Sequence, residues 1–252
     1  MAKQAGESAG GVDRNEAGKL FLVGTPIGNL EDITWRAVRT LRECAVIACE
    51  DTRQTQKLLN RYHIKTRSTS YHEHNEKTRG PELIRRLESG QSVALVSDAG
   101  MPAISDPGYR LVRECIERRI AVIPVPGPTA VIAALVASGI PAQPFQFLGF
   151  VPPKRQQRRK FLEGLGGYPG ASVFFEAPHR ILETLAELRQ ILGDRRIALA
   201  REMTKAHEEF LRGCCAEVLE LLRLRPRILG EITVVVEGAP AASPPQAALP
   251  LR

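Results

Sequence analysis

Charged residues directly follow a short apolar run near the start of the chain. Val46–Cys49 has the composition of a buried strand, and Glu50, Asp51, Thr52 and Arg53 come immediately after it. Three charged side chains at the end of a strand are well placed to form a site. The alternative is a solvated strand end in which Asp51 or Thr52 only caps the following helix.

A second apolar run, Val93–Val96, leads into a loop from Asp98 to Gly108. This loop holds two Gly, two Pro and two Asp within eleven residues, a composition that predicts a defined backbone. An amphipathic helix is expected from Tyr109 to Arg118. A strand, a rigid loop and a helix in this order are typical of ligand sites in α/β proteins. The alternative is a turn-rich connection that binds nothing.

Two further loops rich in Gly and Pro, 24–28 and 126–128, also follow predicted strands. Loop 24–28 lacks both the Gly-Lys-Ser/Thr ending of a phosphate loop and the GxGxxG spacing of a dinucleotide site. The carboxyl ends of parallel strands lie at one edge of a sheet, so the three loops should converge there and form a binding cleft.

The elements that carry these loops alternate between strand and helix. That order predicts a mostly parallel sheet with right-handed crossovers in a first α/β domain, residues 19–144. A second α/β domain is expected over residues 145–238. The terminal segments, 1–18 and 239–252, have the composition of disordered tails.

Composition excludes several classes of protein and leaves one class of partner open. The chain lacks an apolar run long enough to span a membrane and an apolar signal segment, so we expect a cytoplasmic protein. Its five cysteines show no metal-type spacing, and His72 and His74 among carboxylates are a weak metal signal, so we expect no metal. The net charge of +7 permits an anionic partner such as nucleic acid.

Taken together, the motifs resemble those of the tetrapyrrole methylase superfamily, the class III S-adenosylmethionine-dependent methyltransferases. Within it they are most similar to the bacterial enzymes that methylate the ribose 2'-hydroxyl of a cytidine in 16S ribosomal RNA. The segments that carry this resemblance span nearly the whole predicted ordered chain: Val23–Thr34, Cys49–Arg53, Tyr71–Glu76, Ser97–Gly108, Pro126–Ala130, Phe175–Arg180 and Ala200–Lys205.

The resemblance implies two α/β domains, the second with a mixed sheet, and S-adenosylmethionine bound in the cleft between them. It implies cofactor contacts at Pro26, Gly100, Met101, Ile104, Thr129, Ala130, Glu176 and Met203. The chain departs from the family pattern at Met101, where Thr is usual, which puts the role of that side chain in doubt. It also implies a homodimer, and the very apolar Thr129–Val136 helix agrees with that.

Methyl transfer to a hydroxyl also requires a proton acceptor. Asp51 and Glu176 are candidates, since each follows a strand that leads to the expected cleft; either could instead be a helix cap or a cofactor contact. The RNA substrate, 16S rRNA in the small ribosomal subunit, would meet a set of basic side chains, of which we expect those of the 154–160 run to reach outward. The full set is Arg53, Lys154, Arg155, Arg158, Arg159, Lys160 and Arg180.

Two other functions remain open from the sequence. One is methylation of uroporphyrinogen or a precorrin by an enzyme of the same fold, since those substrates are anionic too. The basic 154–160 run and the Tyr71–Glu76 and Phe175–Arg180 segments favour RNA over them. The other is a non-enzymatic RNA-binding module, which the low aromatic content of 5% disfavours because it provides few stacking platforms. The 154–160 run could also be a solvated linker helix.

Overall fold

The structure is a computed structural model that describes residues 18–240, and the chain divides into two compact units. The first unit ends at Thr129 and the second begins at Ala130. This division falls earlier in the chain than the boundary expected after residue 144. The reason is helix α5 (Ala130–Ala137), which packs against strands of the second unit. The expected tails, 1–18 and 239–252, lie almost entirely outside the described residues.

The first unit alternates strands and helices around a five-stranded sheet. The strand order is β3-β2-β4-β1-β5, and every neighbouring pair is parallel, which confirms the expected parallel sheet. Its elements are β1 (Leu20–Val23), α1 (Trp35–Glu43), β2 (Val46–Cys49), α2 (Thr52–Arg61), β3 (Ser68–Ser70), α3 (Glu76–Glu88), β4 (Val93–Val96), α4 (Tyr109–Glu117) and β5 (Val122–Val125).

Apolar side chains cover both faces of this sheet. One cluster includes Leu41 of α1 and Leu59 of α2, and the other includes Leu87 of α3 and Leu111 of α4. All residues of β2 and β4 are buried, as expected for central parallel strands that read as continuous apolar runs. Burial on both faces fixes the strands in register, so the loops at their carboxyl ends start from a rigid base.

The second unit contains a mixed five-stranded sheet, as the resemblance implied. The strand order is β6-β7-β10-β8-β9; β6 and β7 are parallel, and the other neighbours are antiparallel. Besides α5, its elements are β6 (Phe145–Phe150), α6 (Arg155–Glu163), β7 (Ala171–Glu176), α7 (Ile181–Leu192), β8 (Arg196–Arg201), β9 (Glu209–Cys214), α8 (Cys215–Arg223) and β10 (Ile232–Val236).

Helices α6, α7 and α8 bury one apolar cluster against this sheet, with Leu162, Leu188 and Leu219 among its members. Strand residues outside that cluster, such as Val173 and Val235, are also buried, and α5 packs against the same strands. The sheet is therefore covered by helices and can present its strand ends as a fixed frame.

Several apolar side chains nevertheless face outward. Trp35, the single tryptophan of the chain, is 88% exposed at the start of α1. On α5, Ile132 and Val136 lie one turn apart and are both exposed, so this helix is apolar beyond the face it buries. Between residues 18 and 240, no helix has the length and apolar character that a membrane span requires.

Candidate active site

The loops that follow β1 and β4 are joined by backbone hydrogen bonds. The Thr25 amide donates to the Gly100 carbonyl at 2.9 Å, and the Gly100 amide donates to the Thr25 carbonyl at 3.0 Å. The buried Thr25 hydroxyl donates to the carbonyl of Ser97 at 3.0 Å. Because these groups satisfy one another, the two loops form one rigid unit at the carboxyl ends of the strands.

The loop that follows β5 meets the loop that follows β1 at a pair of glycines. A Cβ atom added to Gly24 would lie 2.7 Å from the Gly127 Cα, and one added to Gly127 would lie 2.8 Å from the Gly24 Cα. No side chain fits between two backbones at that separation. The expected convergence of the three loops at one edge of the first sheet is thus confirmed.

The loop after β4 holds its shape through unusual backbone angles. Gly100 has a φ of +82°, and Ala103 and Ser105 also lie in the left-handed region, at 65° and 61°. Residues other than glycine occupy that region at a cost, and such strain is found at binding and catalytic sites. A Cβ at Gly100 would meet its protein neighbours only at 3.6 Å, so the positive φ, more than crowding within the protein, requires glycine there.

The predicted cofactor contacts of the first unit lie on or beside this edge. Pro26 is buried next to Thr25, and Ile104 is 51% exposed in the loop after β4. The Met101 sulfur lies close to Gly24, since a Cβ there would come within 2.7 Å of Sδ. Thr129 is partly buried at the end of the loop after β5. Met101 thus occupies space between two loops, where the family pattern usually has a smaller hydroxyl side chain.

Asp51 follows β2 and caps helix α2. One of its carboxylate oxygens accepts a hydrogen bond from the Arg53 amide at 2.7 Å. This is the helix-capping contact that the sequence offered as the alternative to a role in a site. The Asp51 backbone amide donates to the Asp98 carboxylate at 3.1 Å. The side chain of Arg53 is 92% exposed. Asp51 therefore has a structural role, which leaves its second carboxylate oxygen for other contacts.

A group of carboxylates, Glu50, Asp98 and Asp106, borders Asp51; Glu50 was expected among the charged residues of a site after β2, whereas no role was predicted for Asp98 or Asp106. Burial raises the pKa of Asp98, of Glu50 and, to about 6, of Asp106. The negative charge of Asp98 contributes to the raised pKa of Glu50, and that of Glu50 to the raised pKa of Asp106. Their signal was present in the sequence as acids placed directly after β2 and in the loop after β4. Together they give this edge a negative potential suited to hydroxyl, amine or cationic groups.

In the second unit, Glu176 ends β7 and is fully paired. Its carboxylate accepts hydrogen bonds from the Ala177 amide at 2.7 Å and from the Thr184 hydroxyl at 2.5 Å. Arg180 forms an ion pair with it at 2.6 Å and also donates to the Val151 carbonyl. Glu176 thereby ties the end of β7 to the start of α7. Of the other predicted cofactor contacts in this unit, Met203 is buried and Ala130 is partly buried.

The expected outward orientation of the basic 154–160 run is wrong at Arg158. This side chain is only 2% exposed, and its guanidinium pairs with Glu187 at 2.8 Å and with Glu183 at 2.5 Å. The two acids lie four residues apart on α7 and so share one face of that helix. Arg158 joins α6 to α7 and is not available to an RNA phosphate.

The other basic residues of this run lie at the surface of α6 or just before it. Arg155 is 75% exposed and contacts Glu187 at 3.2 Å, Arg159 is partly buried, and Lys154 and Lys160 are exposed. Within residues 18–240, no group of three or more His, Cys, Asp or Glu side chains is arranged to hold a metal ion.

A family model described as Tetrapyrrole (Corrin/Porphyrin) Methylases matches residues 19–219 of this chain. The chain belongs to the tetrapyrrole methylase family. Two relatives, both called Ribosomal RNA small subunit methyltransferase I, are about half identical to it. The one from Halalkalibacterium halodurans is 53% identical over 89% of this chain and 78% of its own length. The one from Thermotoga maritima is 51% identical over 88% of this chain and 99% of its own.

Solved structures of low sequence identity share the fold. A cobalt precorrin-4 methyltransferase of cobalamin biosynthesis aligns with a TM-score of 0.66 at 18% identity, covering 90% of this chain and 98% of that one. A diphthine synthase aligns with a TM-score of 0.65 at 15% identity, covering 86% and 89%. At these identities the likeness is one of fold, and it confirms the expected architecture.

Proposed function

We propose that this protein transfers a methyl group from S-adenosylmethionine to the ribose 2'-hydroxyl of a cytidine in 16S ribosomal RNA. The observation that carries the proposal is the 53% identity to a small-subunit rRNA methyltransferase over 89% of the chain. The family match over residues 19–219 includes the three loops at the carboxyl edge of the first sheet. Tetrapyrrole enzymes share the fold at much lower identity, which favours RNA as the substrate.

The loops of the first unit suit a cofactor held mainly by backbone groups. Their backbones approach each other at Gly24 and Gly127, and the Cβ position of Gly100 is free of close protein contacts. We propose cofactor contacts from Pro26, Gly100, Met101, Ile104, Thr129, Ala130, Glu176 and Met203. When bound, S-adenosylmethionine supplies an electrophilic methyl group on a positively charged sulfur. The carboxylates around Asp98 support this assignment, since a negative edge favours a cation.

Asp51 is our proposed acceptor for the proton of the ribose hydroxyl. Its side chain is 38% exposed, and only one of its oxygens is used by the helix cap. The environment of Glu176 supports a base role less well. Its carboxylate is buried and accepts hydrogen bonds from three donors, which leave little room for a substrate. We propose that Glu176 positions the start of α7 beside the cofactor contacts of its unit.

For RNA phosphates we propose Arg53, Lys154, Arg155, Arg159 and Lys160. These side chains are exposed or partly exposed; Arg155 contacts the buried Glu187, but its own side chain is 75% exposed. Arg180, predicted from the sequence, is only 16% exposed, and its contacts with Glu176 and Val151 support a structural role. Phosphate contacts of this kind position an RNA strand without reading its sequence.

We further propose that the protein acts as a homodimer, as the family resemblance implies. Support within the chain comes from Ile132 and Val136, whose apolar side chains are 43% and 73% exposed on α5. Apolar surface of this kind is commonly buried between subunits. Sedimentation at micromolar concentration should give a dimer, and replacement of both residues by Ser should give a monomer. A monomeric parent protein would exclude this assembly.

The decisive experiment uses small ribosomal subunits from a strain that lacks the modification. Purified protein and labelled S-adenosylmethionine should label one cytidine, and mapping should place the methyl group on its 2'-oxygen. Uroporphyrinogen serves as the comparison substrate and should remain unlabelled; the reverse result would replace RNA by a tetrapyrrole. Calorimetry of Gly100→Val should show weakened cofactor binding, whereas unchanged affinity would remove Gly100 from the site.

A further inference from the structure

A cavity of about 500 Å³ opens in the first unit beside the carboxylate group described above. It lies between the segment that follows β3 and the residues that lead into α4, and its lining includes Glu73, Lys77, Asp106, Tyr109 and Arg110. Its volume is within the range of small-molecule sites in proteins, about 300–1,000 Å³. Both segments belong to the motifs at Tyr71–Glu76 and Ser97–Gly108, and most of these residues have no part in the proposed cofactor site.

Tyr109 presents an aromatic ring at this cavity. Its side chain is 67% exposed although its backbone begins α4. The preceding Gly108 is buried with a φ of +144°, and a Cβ there would lie 2.8 Å from Leu95 Cδ2. The backbone before Tyr109 is thus fixed against the core, while its ring remains open to a ligand. Exposed aromatic rings of this kind stack against nucleic-acid bases.

The charged groups of the cavity differ in their availability. Glu76 pairs with Arg110 at 2.8 Å, so its charge is already balanced. Asp106 and Glu73 form no ion pair with any residue between positions 18 and 240. An ionised carboxylate can only accept hydrogen bonds. Asp106, which is half-buried, therefore favours a ligand edge that carries an amino group and disfavours one that carries a carbonyl oxygen.

Lys77 is an exposed cation on the same lining, and Arg110, which pairs with Glu76, is exposed beside it. The lining thus offers one group for each part of a nucleotide. A cation can bind the phosphate, the aromatic ring can stack on the face of the base, and the carboxylate can accept a hydrogen bond from the edge of the base. Among pyrimidines, cytosine has a donor amine at N4 where uracil has an acceptor oxygen, and Asp or Glu is the usual reader of that amine. The cavity chemistry thus fits cytidine better than uridine.

The position of the cavity relates it to the proposed reaction. Asp106 lies within electrostatic range of Glu50 and Asp98, and Glu73 lies within range of Glu50. Those acids follow β2 and β4, at the edge to which we assign the cofactor and Asp51. A base held in the cavity would therefore have its ribose near that edge.

We infer that this cavity receives the base of the acceptor nucleotide, with the Tyr109 ring against the base and the Asp106 carboxylate accepting from its exocyclic amine. This inference rests on the proposed RNA methylation and extends it to the choice of nucleotide. Lys77 holds a neighbouring phosphate, whereas Arg110 is engaged by Glu76. Tyr109 and Asp106 are thus binding and specificity residues, separate from the residues that hold the cofactor.

The first test compares Tyr109→Ala, Tyr109→Phe and Ile116→Ala. Tyr109→Ala should lower kcat/KM on small subunits about 10- to 100-fold, the loss expected for one stacked base. Tyr109→Phe keeps the ring and should therefore lose much less activity than Tyr109→Ala. Ile116 is 63% exposed on the same helix but does not line the cavity, so Ile116→Ala is the matched control. Affinity for S-adenosylmethionine should be unchanged in all three variants.

The second test addresses base choice through Asp106→Asn. An amide can donate to the uracil oxygen. In this variant the ratio of kcat/KM for cytidine to kcat/KM for uridine at the mapped position should therefore fall at least about tenfold. The substrates are small subunits that carry either base there. Parental kcat/KM in Tyr109→Ala together with an unchanged cytidine preference in Asp106→Asn would overturn the inference.

Failure of the proposed function, on which this inference rests, and failure of the inference itself give different results. If the parent protein methylates no small subunit, the proposed function fails, and a short cytidine-containing RNA then tests the cavity by binding alone. Tyr109→Ala should weaken that binding about tenfold or more relative to Ile116→Ala. Equal binding by the two variants would show that no base enters the cavity.

Discussion

The backbones of Gly24 and Gly127 are in direct contact. A Cβ atom added to either residue would lie 2.7 to 2.8 Å from the Cα of the other. The two residues follow the adjacent parallel strands β1 and β5, so their contact sets the separation of two loops at the candidate site. Neither backbone can move without disturbing the sheet that supports it.

Gly24→Ala should therefore destabilise the protein by about 1–3 kcal/mol, the usual cost of overpacking, and should weaken cofactor binding. The Met101 sulfur, also 2.7 Å from the added Cβ, can rotate away, but the Gly127 backbone cannot. Chemical denaturation and calorimetry measure the two effects. Gly80→Ala is the control. Gly80 lies within α3 with no atom near its Cβ position, so this change should be neutral or stabilising.

Arg158 should contribute to stability and not to RNA binding. Arg158→Met removes the cation that Glu187 faces in a buried position, and breaking such a pair costs about 3–5 kcal/mol. Adding Glu187→Leu removes the buried carboxylate, which would otherwise keep only its contact with the exposed Arg155, and should restore much of the stability. Denaturation curves of both variants test this, while RNA affinity of the folded protein should match the parent. A stable single variant with weak RNA binding would restore the phosphate role that we withdraw.

The exposed arginines of α6 should show the opposite pattern. Changing Arg155 and Arg159 to Gln should weaken RNA binding and lower the slope of log affinity against log salt by about 0.7 for each single-strand phosphate that the variant no longer binds. Cofactor affinity should not change. Arg189→Gln with Arg223→Gln removes the same charge from exposed positions on α7 and α8 and serves as the control. Equal slopes in the two double variants would identify the α6 surface as ordinary solvated helix.

Asp106 should make stability depend on pH in mildly acidic solution. Burial raises its pKa in the folded state to about 6, above the usual value of 3.8, so the folded protein binds the proton more tightly than the unfolded chain. Its contribution to the free energy of unfolding is thus most favourable below pH 3.8 and is lost as the pH rises to about 6. Asp106→Asn should raise the free energy of unfolding at about pH 7.5. It should also make that free energy depend less on pH between about pH 4 and 6, and urea denaturation can measure both effects. A variant less stable than the parent near neutral pH would contradict the assignment.

Local signals were sufficient to predict most of the fold. Strands β2 and β4 begin and end where their apolar runs, Val46–Cys49 and Val93–Val96, do. Two edge strands escaped prediction. Strand β3 consists of Ser-Thr-Ser and β9 contains a glycine, so neither has an apolar pattern of its own. Each forms because it pairs with an apolar neighbouring strand, and the sequence of the segment itself does not reveal that pairing.

The parts of the site formed by glycine- and proline-rich loops could be predicted from the sequence. The parts that depend on charged residues distant along the chain could not. The glycine and proline content of three loops correctly indicated their convergence. The burial of Arg158 depends on Glu183 and Glu187, which belong to another helix, so a basic run without nearby acids appeared fully exposed. The raised pKa of Asp106 likewise depends on burial and on Glu50, which is distant along the chain.

Trp35 gives the protein a built-in optical reporter at one defined point. It is the single indole of the chain, it is 88% exposed, and it begins α1 directly after the loop that carries Pro26. Its fluorescence emission should already resemble that of indole in water in the native state, so unfolding of either core should shift it little. Quenching or a blue shift on addition of cofactor or RNA would then report contact at the start of α1, without any added label.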